Sequence, residues 1–114
     1  INDPATRQEI AKLIMLSQVP EWTAHRARAA QKDGQPQGPE GSIGKLAASH
    51  VARAASQVHT MIAGAEAMLA GDDGTVDGII SEILLSVPAT SIAGGTDEIQ
   101  RNIIAERVLH LPRR

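Results

Sequence analysis

The chain has 114 residues, of which 42% are hydrophobic, with one Trp and no Phe, Tyr or Cys. Its formal net charge is −2 with acids and bases interspersed, so nothing attracts a polyanion over long range and nucleic acid is not an expected partner. Without cysteine there are no disulfides, thiolate metal sites or cysteine nucleophiles, and no run approaches the roughly 20 apolar residues of a membrane span.

The length fits one domain or part of one. The opening at Ile1 rather than Met leads us to expect a piece of a larger protein. No secretory signal is visible, and the expected location is cytoplasmic. The core has to be built from Ala, Ile, Leu, Val and Met, a set that suits closely packed helices better than a sheet.

The first predicted helix opens in "INDPATRQEIAKLIMLSQ", with Asp3 as cap and Pro4 at the first helical position. Ile10, Leu13, Ile14 and Ser17 share one face. Pro20 removes a backbone donor and predicts a kink, after which "EWTAHRARAAQK" continues the helix. The stretch "DGQPQGPEG" reads as a loop.

The second helix is predicted over "SIGKLAASHVARAASQVHTMIAGAEAMLA", capped by Ser42. Its apolar stripe runs through Ala47, Val51, Ala54, Val58, Met61, Ile62, Ala65 and Leu69. After a "GDDGTVDG" loop, "IISEILLSVPAT" reads as a shorter helix ending near Pro88. A final helix carries Ile99, Ile103, Ile104 and Val108 and is stopped by Pro112. No strand pattern intervenes, so the expected fold is all-α, an up-and-down antiparallel helical bundle forming a single domain over residues 1–114.

Few side chains invite chemistry. His50 and His59 lie nine positions apart on one helix and point to opposite faces, so they cannot share a metal ion, and no metal site is expected. "EGSIG" lacks the glycine spacing of a nucleophile elbow, and Ser49 and His50 are adjacent helical residues that do not face each other. His25, Arg26, Arg28 and Lys32 read as a solvated face, and Trp22 as packing.

The stretch "SIAGGTDEIQRNIIAERV" is different. Gly94 and Gly95 let the backbone approach a ligand or adopt positive φ. Thr96 is a good helix cap, and Asp97 and Glu98 fall in the first turn, where the helix dipole favours negative charge. Free amides of that turn can donate to polar ligand atoms, and the two acids favour neutral contacts over tight capture of a pyrophosphate.

The tail "IAGGTDEIQRNIIAERVLHLPR" resembles the C-terminal signature of acyl-CoA dehydrogenases, from Ile92 to Arg113 almost without gaps. "GPEGSIGKL" and the "AGDDG" loop are similar to that family more loosely. The resemblance implies an FAD-dependent oxidoreductase that desaturates acyl-CoA thioesters in lipid metabolism. It implies electron-transfer flavoprotein as the acceptor and a homo- or hetero-oligomer. It also implies that the chain is the C-terminal helical domain of a larger flavoprotein, contributing to FAD binding and assembly and inactive alone. Gly95 would line the acyl-thioester pocket, and Thr96, Asp97 and Glu98 would match the run that contacts FAD.

The sequence departs from that family twice. Many members carry a catalytic Glu immediately before the Gly-Thr pair, where this chain has Gly94, so no catalytic residue is assigned here. The Gln-x-x-Gly-Gly motif is also missing; Gln57 and Gly64 stand at the wrong spacing. Both departures leave an alternative: a non-catalytic helical assembly module, or the degenerate subunit of a heteromeric acyl-CoA dehydrogenase.

Overall fold

Asp3 starts the first helix as its position predicts. In the computed structural model, which describes residues 2–36 and 38–113, its carboxylate accepts from the Thr6 amide at 2.7 Å and the Thr6 hydroxyl at 2.6 Å. Those two bonds hold the Asp3 carboxyl below its ordinary value, the hydroxyl bond contributing most. Pro4 then opens α1 (Pro4–Lys32), in which Pro20 sits inside one continuous helix. Pro20 leaves the Leu16 carbonyl without its helical donor. Ser17 and Thr23 on either side turn their hydroxyls back onto the Ile14 and Val19 carbonyls, at 2.8 and 2.9 Å.

The predicted loop after α1 contains Gln37, which lies outside the described residues, as do Ile1 and Arg114. The helix that follows, α2 (Glu40–Ala63), begins earlier than predicted. Ser42 does not cap it. Pro39 holds the cap position, and its carbonyl accepts from the Ser42 and Ile43 amides at 3.0 and 3.3 Å, placing Ser42 in the first turn. The α2 ladder also stops short of the predicted end, because Gly64 takes φ +61°, a conformation glycine adopts without a Cβ penalty. The chain continues as a 3₁₀ turn, Gly64–Met68, whose Ala67 is fully buried, and a second one, Gly71–Asp73. The remaining helices are α3 (Ile79–Thr90), which passes Pro88 by two residues, and α4 (Asp97–Arg107). Val108 falls just beyond α4, its amide donating to the Ile104 carbonyl at 2.9 Å.

Among the described residues the fold is an all-helical bundle of four α-helices in which α2 packs against each of α1, α3 and α4. Among the described residues the buried hydrophobic side chains are Val58 and Ala67, while Thr6, Ser49, Ser56, Ser81, Asp97 and Gln100 are buried polar residues. The sealed positions are therefore mostly small and polar, while aliphatic side chains such as Leu13, Leu46, Val51, Leu84 and Ile103 are half-buried around them. Trp22, expected to pack, is 65% exposed, and Ile14, Met15 and Val19 of α1 share that exposure. Met61, Ile62 and Leu69 from the predicted α2 stripe are exposed as well. A radius of gyration of 17.5 Å exceeds the roughly 13 Å of a compact chain of this length. The apolar stripes are present, but this chain does not cover them.

The connection into α3 carries backbone strain. Val76 and Asp77 adopt φ of 55° and 53°. Asp tolerates the left-handed region, whereas a β-branched side chain does not. Val76 is exposed, so its strain is not offset by burial. Val76→Asn is expected to raise unfolding free energy by about 1 kcal/mol in urea titration, and Val76→Ile to bring no gain.

Candidate functional site

The corner between α3 and α4 is shaped by its own hydrogen bonds. Gly94 and Gly95 take φ of 69° and 94°, so both use the left-handed freedom expected of them. The Asp97 amide donates to the Ser91 carbonyl at 3.0 Å, closing the seven-residue loop. The buried Gln100 side chain donates through Nε2 to the Gly94 carbonyl at 3.1 Å. It also lies 2.9 Å from where a Cβ on Gly95 would stand, which excludes a larger residue there without moving the amide.

Thr96 caps α4, its hydroxyl oxygen accepting from the Ile99 amide at 3.3 Å. Glu98 is exposed. Its carboxyl is held below the ordinary range by its own amide first, then by the Thr96 hydroxyl, with Arg101 at 3.4 Å adding attraction. The first-turn amides are therefore not all free as the sequence suggests: those of Asp97 and Ile99 have acceptors within the loop or helix start. The open donors stand just upstream. The amides of Gly94, Gly95 and Thr96 meet no acceptor among the described residues, and nothing lies within 4 Å of the side-chain position of Gly94.

Asp97 is the residue whose surroundings the sequence conceals most. It is 3% exposed and turned toward α2, where Oδ1 accepts from Lys45 Nζ at 3.0 Å and Oδ2 from Arg53 Nη2 at 2.8 Å. Burial by itself would push its carboxyl up. Bonds from Lys45 and Arg53, the Ser49 hydroxyl alongside and the Lys45 charge outweigh that and hold it well below the carboxylate range. Arg53 also reaches the Ser91 hydroxyl through Nη1, and Ser49 donates to the Thr90 carbonyl at 3.1 Å. Lys45, Ser49 and Arg53 are spaced four apart, so one polar face of α2 grips both ends of the corner.

Lys45, Arg53 and Gln100 escaped the sequence reading, and Ser49 entered it only beside His50. Their signal was the i, i+4, i+8 polar row on a helix whose other face is aliphatic, but nothing local says what such a row meets. A cleft of about 400 Å³ between α2 and α3 adjoins the grip, lined by Arg53, Gln57, Met61, Leu84, Val87 and Pro88. Gln57 thus faces a cavity, while Gly64 serves to end α2. Among the described residues no three His, Asp or Glu side chains gather as a metal-ligand set, and no helix is long and apolar enough to cross a membrane.

Residues 1–109 match the family described as "Acyl-CoA dehydrogenase, C-terminal domain". Among solved structures, a chain of the ChsE4-ChsE5 complex from Mycobacterium tuberculosis is similar in fold, with a TM-score of 0.82 at 21% identity. The likeness covers 99% of this chain and 30% of that one, so the chain spans under a third of that relative. No curated protein matches it in sequence.

Proposed function

Because the chain belongs to the acyl-CoA dehydrogenase family through its C-terminal helical domain, we propose that it is the helical part of an FAD-dependent acyl-CoA dehydrogenase, contributing to the flavin and thioester site and to assembly. The observation that carries this reading is the corner: three adjacent amides without acceptors, on a backbone kept bare by two glycines in the left-handed region. Such a surface fits the flat polar edge of a cofactor or the oxygen of a thioester, each of which needs donors and close approach.

Gly95 is assigned to the thioester side and Thr96 to the flavin side, with Glu98 at the exposed rim. Asp97 belongs to the same run but spends its carboxylate on α2. FAD, when bound, supplies the acceptor for the hydride lost from the acyl chain. The α-proton needs a base that this chain does not provide. Gly94 has no side chain, Asp97 is held ionised by two cations, and Glu98 is stabilised as the anion, so both carboxylates are weak bases. The base is assigned to another segment or subunit, the substrate to the acyl-CoA class and the electron acceptor to electron-transfer flavoprotein, in a cytoplasmic setting.

The competing reading is a non-catalytic assembly module or degenerate subunit. Its support is the exposed apolar surface of α1 and α2 together with the missing base. Purification of the full-length protein separates the two. A yellow protein whose flavin band bleaches with an acyl-CoA supports the enzyme; a colourless protein that gains flavin only with a partner supports the module. The 114-residue chain alone is expected to give no turnover with FAD and any acyl-CoA, and measurable turnover there overturns the assignment of the base elsewhere.

A further inference from the structure

The corner's amides are useful only if they are held in one arrangement, and the glycines that expose them also loosen them. The structure contains a device that answers this. One end of the loop is tied at Thr90 and Ser91 by Ser49 and Arg53, and the other at Asp97 by Lys45 and Arg53. Asp97 then closes the loop through its own amide to Ser91, and Gln100 fixes the Gly94 carbonyl. Arg53 spans the loop's two ends, gripping Ser91 with one nitrogen and Asp97 with the other.

We propose that Lys45, Arg53 and Asp97 are positioning residues, a charged latch that fixes the Ser91–Asp97 loop so that the Gly94, Gly95 and Thr96 amides present a single donor array. The ligand side of this statement rests on the function proposed above; the latch itself does not. A fork that reaches two acceptors at once is work suited to a guanidinium and not to an ammonium. Arg53 is therefore the member whose replacement by Lys should not restore the array.

The test uses the full-length protein, with any partner that co-purifies, and compares Lys45→Met, Arg53→Lys and Arg53→Gln with the parent. Hydrogen exchange at the Asp97 amide reads loop closure without needing flavin or substrate. Exchange there is expected to quicken on the order of tenfold in Lys45→Met and Arg53→Gln, and nearly as much in Arg53→Lys, while amides in the middle of α2 around Val58 keep their protection. A general loss of structure would move both sets together, and in that case the milder Arg53→Lys variant carries the test. Unchanged exchange at Asp97 in folded Lys45→Met and Arg53→Gln overturns the latch.

The same variants, where the protein holds flavin, are expected to raise KM for acyl-CoA on the order of tenfold with a smaller change in kcat, the pattern of a donor array that binds substrate and transition state alike. Quickened exchange in the variants of a parent protein that itself binds neither flavin nor acyl-CoA supports the latch and rejects the function.

Discussion

Gly78→Ala is expected to be the most damaging small substitution in the bundle. Gly78 takes φ +76°, and a Cβ there would stand 2.4 Å from the Gly71 amide nitrogen and 2.9 Å from the Ala70 carbonyl carbon. Both obstacles are main chain, so no side chain can swing aside. Left-handed strain and overpacking each cost about 1–3 kcal/mol, and here they add, for about 3 kcal/mol or more. A thermal melt should show a fall above about 10 °C. Gly34→Ala is the control. Gly34 has φ +78° with nothing within 4 Å of its Cβ position, so only the strain remains and the fall should be a fraction of that at position 78. Equal effects at the two positions would mean that the tight approach of residues 70–71 to Gly78 is not a feature of the folded protein.

The second large effect is electrostatic. Asp97→Asn keeps the shape of the side chain but leaves Lys45 and Arg53 facing a neutral amide at a buried position. Both cations reach solvent, Arg53 more than Lys45, which screens part of the loss, and the expected fall in melting temperature at pH 7 is about 5 °C. The pH dependence has a definite sign. The folded-state carboxyl is lowered from 3.8, so it contributes stability above the unfolded value, and that contribution is lost as the pH falls through the folded one. Parent and Asp97→Asn should therefore differ by a constant amount from neutral pH down to about 5 and converge in more acidic buffer. Convergence between pH 6 and 8 instead would show that a histidine, not Asp97, governs the difference.

How much of this was legible in the sequence depends on how far each signal reaches. Caps are local, so Asp3 with Pro4 and Thr96 before α4 announce themselves within four residues. Ser42 misled because a proline three residues earlier supplied a carbonyl for the first turn, and a hydroxyl is not needed where the helix has already begun. The end of α2 at Gly64 was hidden among alanines that favour helix on both sides. Trp22 and the aliphatic stripe of α2 show the opposite limit. Periodicity reveals which side chains seek cover, but not whether the same chain supplies it. At the corner, the two glycines and the cap were readable. The capture of Asp97 was not, because Lys45 and Arg53 lie 52 and 44 residues away and meet it only once α4 has docked on α2.

The scarcity of buried hydrocarbon has a calorimetric consequence. Heat-capacity change on unfolding scales with the apolar area newly wetted and is reduced by polar area. A bundle whose sealed positions are mostly serine, threonine, aspartate and glutamine, with its larger aliphatic side chains only half covered, releases less of the first and more of the second than a fully sealed core. Its stability curve should be flat, with an increment well under the about 1.4 kcal/mol/K typical per 100 residues. Occlusion of its greasy helix flanks by neighbouring protein would steepen that curve, so the curvature of a melting profile would register docking even where no colour or turnover does.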